Sequence, residues 1–285
     1  MKDYIVRGLV QENNVRVFGV RSTLSCKHGA KDHNCSPLAS IAFGRTISAA
    51  IMMGAMLKGE EKMTIQINGC GPIGTMMVDA DAKGNVKGFL SNPQASADVA
   101  DVSKVVGNLG FLKVIKSNQM KHNFTGEVML QTGQIGDDIS YYFYTSEQTP
   151  SLVILSVNLN KEGKIKCAGG IIVQVLPSAT EEDLIELENK VRTYGGFSEA
   201  LETKSVETII KEMFPDFVEL SRNEVTYKCD CNKKKFTRIL KLVGKEELDD
   251  MIAKDHGCHA VCNFCNKEYN FTEEELIEIR DSIKN

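Results

Sequence analysis

Two short stretches, "YKCDCNKKK" and "GCHAVCNFCNKEY", gather five cysteines into two knots: Cys229 and Cys231, then Cys258, Cys262 and Cys265. No other feature restricts the fold so tightly. The segment that holds them, residues 226–285, is too short to bury a large apolar core, so it calls for a staple or a metal. Cys229-x-Cys231 and Cys262-x-x-Cys265 are two close pairs whose sulfurs can converge on one tetrahedral zinc at about 2.3 Å. Between them "KFTRILKLVGKEELDDMIAK" supplies an amphipathic arch, "NKEYNF" gives an apolar seal, and "TEEELIEIRDSI" reads as a closing helix. The one-residue gap of the first pair is unusual for an inert zinc ribbon. Alpha-carbons two residues apart in an extended chain lie near the upper edge of disulfide range, so that pair can also close into a strained bond. The second pair can close locally too, and strained, exposed disulfides tend to be labile. Cys258 reads as a free loop thiol, with a substitute ligand or resolving thiol as the alternative. His256 and His259 lie close enough to be considered as ligands, but four cysteines already suffice.

The rest of the chain sets the context. "MKDYIVRGLVQENN" lacks a charged head followed by a long apolar run, and no signal peptide is visible. The longest apolar stretch, "SPLASIAFGRTISAAIMMGAMLKG", contains Arg45 and reads as a buried core helix rather than a membrane span. A cytoplasmic location is expected, where clustered cysteines bind metal or do chemistry more often than they form structural disulfides. The net charge of −4 gives no bulk pull toward nucleic acid or anionic membrane.

The fold class expected is α+β: a strand-rich core domain with a long buried helix, a helical linker, and a small C-terminal zinc-binding domain. Core residues 1–176 alternate apolar and polar side chains in "NVRVFGVRST" and "KMTIQIN". "GTMMVDADAKGNVKGFL" reads as a hairpin around Ala82-Lys83-Gly84-Asn85. "SLVILSVNL" and "GGIIVQVL" are further strands, rich in Val and Ile. Ser36 as N-cap, Pro37 in the first turn and Gly59 as the stop bracket the long helix. A second helix is expected over "GQIGDDISYYFYTSEQ". Residues 177–225 form an acidic linker, with 12 acidic and 5 basic residues between Ser178 and Glu224. Ser178 and Glu181 have capping-box spacing. Leu184, Leu187 and Val191 share one helical face, and Val206, Ile209, Ile210 and Met213 another. Such helices either pack permanently on the core or act as a removable cover.

Other motifs carry less. Cys26, Cys35, Cys70 and Cys167 have no paired spacing and read as buried or half-buried thiols. "CKHGAKDHNC", with Cys26, His28, His33 and Cys35, reads as a polar loop ahead of a capped helix, not a second metal loop. "GCGPIG" matches a dinucleotide fingerprint at Gly69, Gly71 and Gly74, but Pro72 and a strand follow where a helix N-terminus is needed. Asp137–Asp138 and Asp79/Asp81 suit capping or solvation rather than an acid–base pair. No catalytic constellation emerges, and no enzymatic activity is expected.

Together these segments resemble the heat shock protein 33 family of bacterial redox-regulated chaperones, essentially end to end. The resemblance is carried by "SPLASIAFGRTISAAIMMGAMLKGEEKMTIQINGCGPIGTMMVDADAKGNVKGFLSNP", "GEVMLQTGQIGDDISYYFYTSEQTPS", "AGGIIVQVLP" and the C-x-C, C-x-x-C arrangement. It implies a resting, reduced form holding one zinc ion on Cys229, Cys231, Cys262 and Cys265. It further implies that oxidation joins Cys229 to Cys231 and Cys262 to Cys265, that zinc leaves, and that the zinc domain and linker unfold. The result would be an ATP-independent holdase for unfolded clients that often dimerises. Cys258 and His259 depart from the expected pattern. The runner-up reading is a zinc-ribbon nucleic-acid-binding protein. Against it, residues 226–285 are nearly neutral, with 11 basic and 12 acidic residues, and "NKKKFTR" is the only basic run.

Overall fold

The computed structural model describes residues 2–10, 14–117, 123–176 and 181–283, the first four of the last stretch by backbone alone. The Ser178–Glu181 capping box and the side chain of Leu184 lie outside the described residues. The chain divides into two compact units, Met1–Lys228 and Cys229–Asn285.

In the first unit the order is β1 (Tyr4–Val10), β2 (Val15–Arg21), α1 (Thr23–Asp32), α2 (Pro37–Gly54), β3 (Lys62–Asn68), β4 (Thr75–Asp81) and β5 (Asn85–Leu90). There follow α3 (Ser103–Val106), β6 (Phe111–Ser117), β7 (Asn123–Met129), α4 (Gly136–Ser146), β8 (Ser151–Leu159) and β9 (Ile165–Val175). The linker stretch holds α5 (Glu181–Tyr194), α6 (Phe197–Thr203), α7 (Val206–Met213) and β10 (Phe217–Glu224), and β11 (Thr226–Tyr227) closes the unit. A five-stranded sheet runs β10-β1-β2-β9-β8 and a six-stranded sheet runs β11-β5-β4-β3-β6-β7.

Helix α2 lies between the sheets, against β4, β5 and β3 of one and β9, β8 and β2 of the other. Its apolar residues run all round, as a helix buried on every side requires. By length and composition alone it could cross a membrane, but it is mostly buried inside the fold. Ser36 caps it as expected, its Oγ accepting from Ala39 N at 3.3 Å, with Pro37 in the first turn. The helix ends at Gly54, five residues before the expected stop; Gly59 (φ +57°) sits in the turn that follows.

The central strands β1, β2 and β9 of the five-stranded sheet are covered on both faces, which is why β2 and β9 are so rich in Val and Ile. Alternation assigns Phe18, Val20, Ala168 and Ile172 to the α2 face and Val15, Val17, Ile171 and Val173 to the other. That second face is covered by Leu187, Phe197, Leu201, Val206, Ile209, Ile210 and Met213 of α5 to α7. The expected stripe of α7 is thus the buried one, and Val191 packs against the same cluster. Gly19 permits the contact: a Cβ there would lie 2.5 Å from Val206 Cγ1 and 2.6 Å from Ile210 Cδ1. After its helices the linker stretch adds a strand, β10, antiparallel to β1 with Glu224 opposite Tyr4.

Two expectations need correction. The segment read as a polar loop before α2 is mostly helix α1. Its first-turn amides Leu24 N and Ser25 N donate to the buried Asp3 carboxylate at 2.9 and 2.6 Å, a cap supplied from far upstream. Cys70 is exposed rather than buried, because Gly71 N and Ile73 N donate to Val106 O and Val105 O and hold the loop at the surface with Cys70 at φ +60°.

In the second unit, α8 (Lys233–Val243) and α9 (Lys245–Asp250) lead through a π-helical turn (Met251–Asp255) to the hairpin β12 (Gly257–Val261) and β13 (Glu268–Thr272), then α10 (Glu273–Asp281). Thr272 and Glu275 form a reciprocal capping box on α10. The apolar core is small: Leu240, Leu248, Tyr269, Phe271, Leu276 and Ile279, together with the buried Cys262.

Candidate metal centre

Each cysteine of the four is placed by a short local device. Cys229 and Cys231 lie in the extended approach to α8, whose N-cap Asn232 accepts from Lys235 N at 3.0 Å. Cys262 and Cys265 flank the turn between β12 and β13. There Cys265 N and Asn266 N both donate to Cys262 O, at 3.3 and 2.8 Å, and Cys262 N donates to Lys267 O at 3.0 Å. Asn266 takes φ +54° to close the turn.

The four sulfurs converge. Cys229 Sγ lies 3.7 Å from Cys262 Sγ, Cys231 Sγ lies 3.4 Å from Cys265 Sγ, and all four fall within 4.8 Å of one another. A zinc ion bonded to four thiolates at about 2.3 Å spaces them about 3.8 Å apart, so the donor set fits that ion in type, number and spacing. No disulfide joins any of the nine cysteines. Cys262 is buried and the other three are half-buried, which leaves a path for an oxidant.

The electrostatics favour a cation. Burial opposes ionisation at Cys231, but the Tyr269 hydroxyl, donating to its sulfur at 3.2 Å, and the neighbouring thiols bring it down to about 7. Burial pushes Cys229 up, with help from its sulfur neighbours, and raises Cys265 to about 11. Sulfurs this close resist a second negative charge, and a divalent ion removes the conflict. Tyr269 stacks on Phe236 with ring centroids 4.6 Å apart, which fixes the hydroxyl. "NKEYNF" was legible as an apolar seal; its hydrogen bond to a ligand was not.

Cys258 stands apart. It lies on β12 opposite Phe271, half-buried against the small core, and is not among the four converging sulfurs. Burial raises its thiol, and the charge of Asp255 adds to this. His256 Nδ1 is 3.0 Å from Glu273 and His259 Nε2 is 3.3 Å from Glu268.

The weaker candidates have structural roles. His33 Nε2 lies 3.0 Å from Gly88 O and Cys26 Sγ donates to Gly44 O at 3.4 Å, so the two do not converge on a metal. "GCGPIG" leads into β4 rather than a helix. Asp138 is buried and accepts from Gln131, Thr132, Gly133 and Ile135 amides around the start of α4. Asp79 accepts from Thr64 Oγ1 at 2.7 Å, and Asp81 accepts from Lys83 N and Asn85 N in its turn.

An α+β core followed by a small unit built around four cysteines defines the class of protein, and the likeness to known proteins runs over nearly the whole chain. The family model described as Hsp33 protein matches residues 3–272. The 33 kDa chaperonin of Bacillus pumilus (strain SAFR-032) is 41% identical over 289 residues, covering 99% of each chain. That of Bacillus subtilis (strain 168) is 39% identical over 286 residues, covering 98% of each. The crystal structure of the 33 kDa chaperonin (heat shock protein 33 homolog) from Thermotoga maritima superposes with a TM-score of 0.90 at 29% identity, over 99% of this chain and 98% of that one. The chain belongs to the Hsp33 family, a chaperone family and not an enzyme class.

Proposed function

We propose that this chain is a redox-regulated, ATP-independent holdase, held inactive by one zinc ion on Cys229, Cys231, Cys262 and Cys265. The observation that carries the reading is the convergence of four thiols on a unit whose own apolar core is so small. Zinc binding to such a unit contributes about 10–16 kcal/mol to folding, against a net stability of about 5–15 kcal/mol for a typical domain. The metal therefore decides whether this unit is folded.

Oxidation removes it. A thiolate attacks hydrogen peroxide, giving a sulfenic acid and hydroxide; a second thiol displaces the sulfenic oxygen as water and forms the disulfide. Two thiols and one peroxide yield one disulfide and two waters. The two local pairs, Cys229–Cys231 and Cys262–Cys265, consume two peroxides and leave no thiolate for the ion. Cys258 serves at most as an auxiliary thiol.

In functional terms residues 1–176 bind client and dimerise on oxidation, 177–225 are the releasable cover, and 226–285 are the redox-sensitive zinc domain. Support for the cover comes from what α5 to α7 lie on, the Val- and Ile-rich outer face of β1, β2 and β9. Short helices are marginal without a packing partner, and the linker's acidic excess favours release. Its departure bares an apolar face for aggregation-prone proteins in a cytoplasmic setting. The test is light scattering from a heat-denaturing client mixed with reduced or peroxide-treated protein. Suppression by the oxidised form alone supports the reading, and equal suppression by both forms ends it.

A further inference from the structure

The linker helices do not roof the sheet completely. Between the C-terminal half of α4 and the middle of α5 lies a cavity of about 470 Å³, a size that suits a small organic ligand. Its floor is apolar, made by Leu152, Val173, Val175 and Leu187, all within or against the cluster beneath the linker helices. Tyr141 and Tyr144 of α4 form its side and are 37% and 66% exposed, so two aromatic rings remain open to a ligand. The polar lining is largely spent. Ser140 Oγ donates to Gly136 O at 3.1 Å, and Ser151 Oγ donates to Thr149 O at 2.9 Å and accepts from Gln174 Nε2 at 3.0 Å. The charge that remains is the carboxylate of Glu188 on α5. It is exposed, no described residue bonds to it or pairs with it, and no Lys, Arg or His lines the cavity.

This lining is complementary to one chemistry. The faces of the tyrosine rings are negative, and so is Glu188, so an apolar body carrying a positive charge satisfies floor, wall and rim together. An anion would be repelled by all three negative groups. A neutral body would shield the carboxylate from water and offer it no partner. We infer that the cavity between α4 and α5 is a binding site for a small aromatic cation, with Glu188 as its charge partner and Tyr141 and Tyr144 as its wall. Such a ligand touches α4, the sheet and α5 at once, so it clamps α5 in place; this consequence rests on the reading of the linker as a releasable cover. By linkage, ligand at ten times its Kd lowers the population with α5 lifted about tenfold.

Calorimetric titration of the reduced full chain with 2-(1-naphthyl)ethylammonium tests the site. The neutral 2-(1-naphthyl)ethanol and the anionic 1-naphthylacetate are controls of similar shape. One cation should bind per chain with a Kd at or below about 1 mM, the alcohol more weakly and the carboxylate weakest. Glu188→Gln should weaken the cation about three- to fivefold and leave the alcohol unchanged. Tyr144→Leu should weaken both. Both side chains are exposed, so neither change disturbs the core. Hydrogen exchange read by mass spectrometry should find the α5 amides about tenfold slower at ten times the Kd. The inference is overturned if no probe binds, if the three probes bind alike, or if Glu188→Gln leaves the cation's affinity unchanged. It is equally overturned if saturating cation leaves α5 exchange as it was. Every readout uses reduced protein without oxidant, so a failure of oxidation-driven activation and a failure of this site are distinguishable.

Discussion

The Tyr269 hydroxyl donates to Cys231 Sγ at 3.2 Å, from a ring held by stacking on Phe236. It ties the first cysteine pair to the hairpin that carries the second, and it supports the thiolate that a metal requires.

Tyr269→Phe should therefore weaken the site without unfolding the unit, since the stacking surface survives. Partners of metal ligands are typically worth about 10- to 100-fold in affinity. The expected change is at the low end, about tenfold weaker zinc binding, measured by competition with a chromophoric chelator. An unchanged affinity would remove Tyr269 from the account.

The two kinds of cysteine in the zinc unit should separate cleanly. Cys262→Ser removes a buried ligand and should abolish tight zinc binding, leaving residues beyond Cys229 protease-sensitive even when reduced. Cys258→Ser should keep one zinc per chain and a protected unit. Metal analysis with limited proteolysis reads both.

Gly19 is the place to prise the linker from its sheet. A side chain there meets Val206 and Ile210 within 2.6 Å. Gly19→Val should displace α7 at a cost of about 1–3 kcal/mol. The reduced protein should then bind an apolar dye and suppress client aggregation without oxidant.

Asp3→Ala should destabilise the first unit by about 1–2 kcal/mol, because two amides at the start of α1, one buried and one part-buried, lose their acceptor. A lower urea midpoint with an unchanged slope is the expected result.

That cap also explains why part of the fold was legible in sequence and part was not. Helix α2 could be read because Ser36, Pro37 and its apolar run are contiguous. The β4–β5 hairpin could be read because Asp81 and Asn85 make its turn locally. The four ligands were readable as two close pairs. Helix α1 was missed because its cap is Asp3. Strand β10 was not separated from the linker because its partner β1 lies at the far end of the chain. The exposure of Cys70 depends on carbonyls at Val105 and Val106, and α2 ends where the bonding tightens into turns, Met56 N to Met53 O and Leu57 N to Gly54 O, ahead of the next glycine. Chemistry encoded in neighbours was visible, and contacts made by distant residues were not.

The central claim is that oxidation of four particular thiols expels one metal ion. Zinc content and accessible thiols, counted together before and after peroxide, test it most directly. The account predicts near-unit zinc lost in step with four thiols, with mass spectrometry finding Cys229 joined to Cys231 and Cys262 to Cys265. Zinc retained in protein that has already gained client-protecting activity would contradict it.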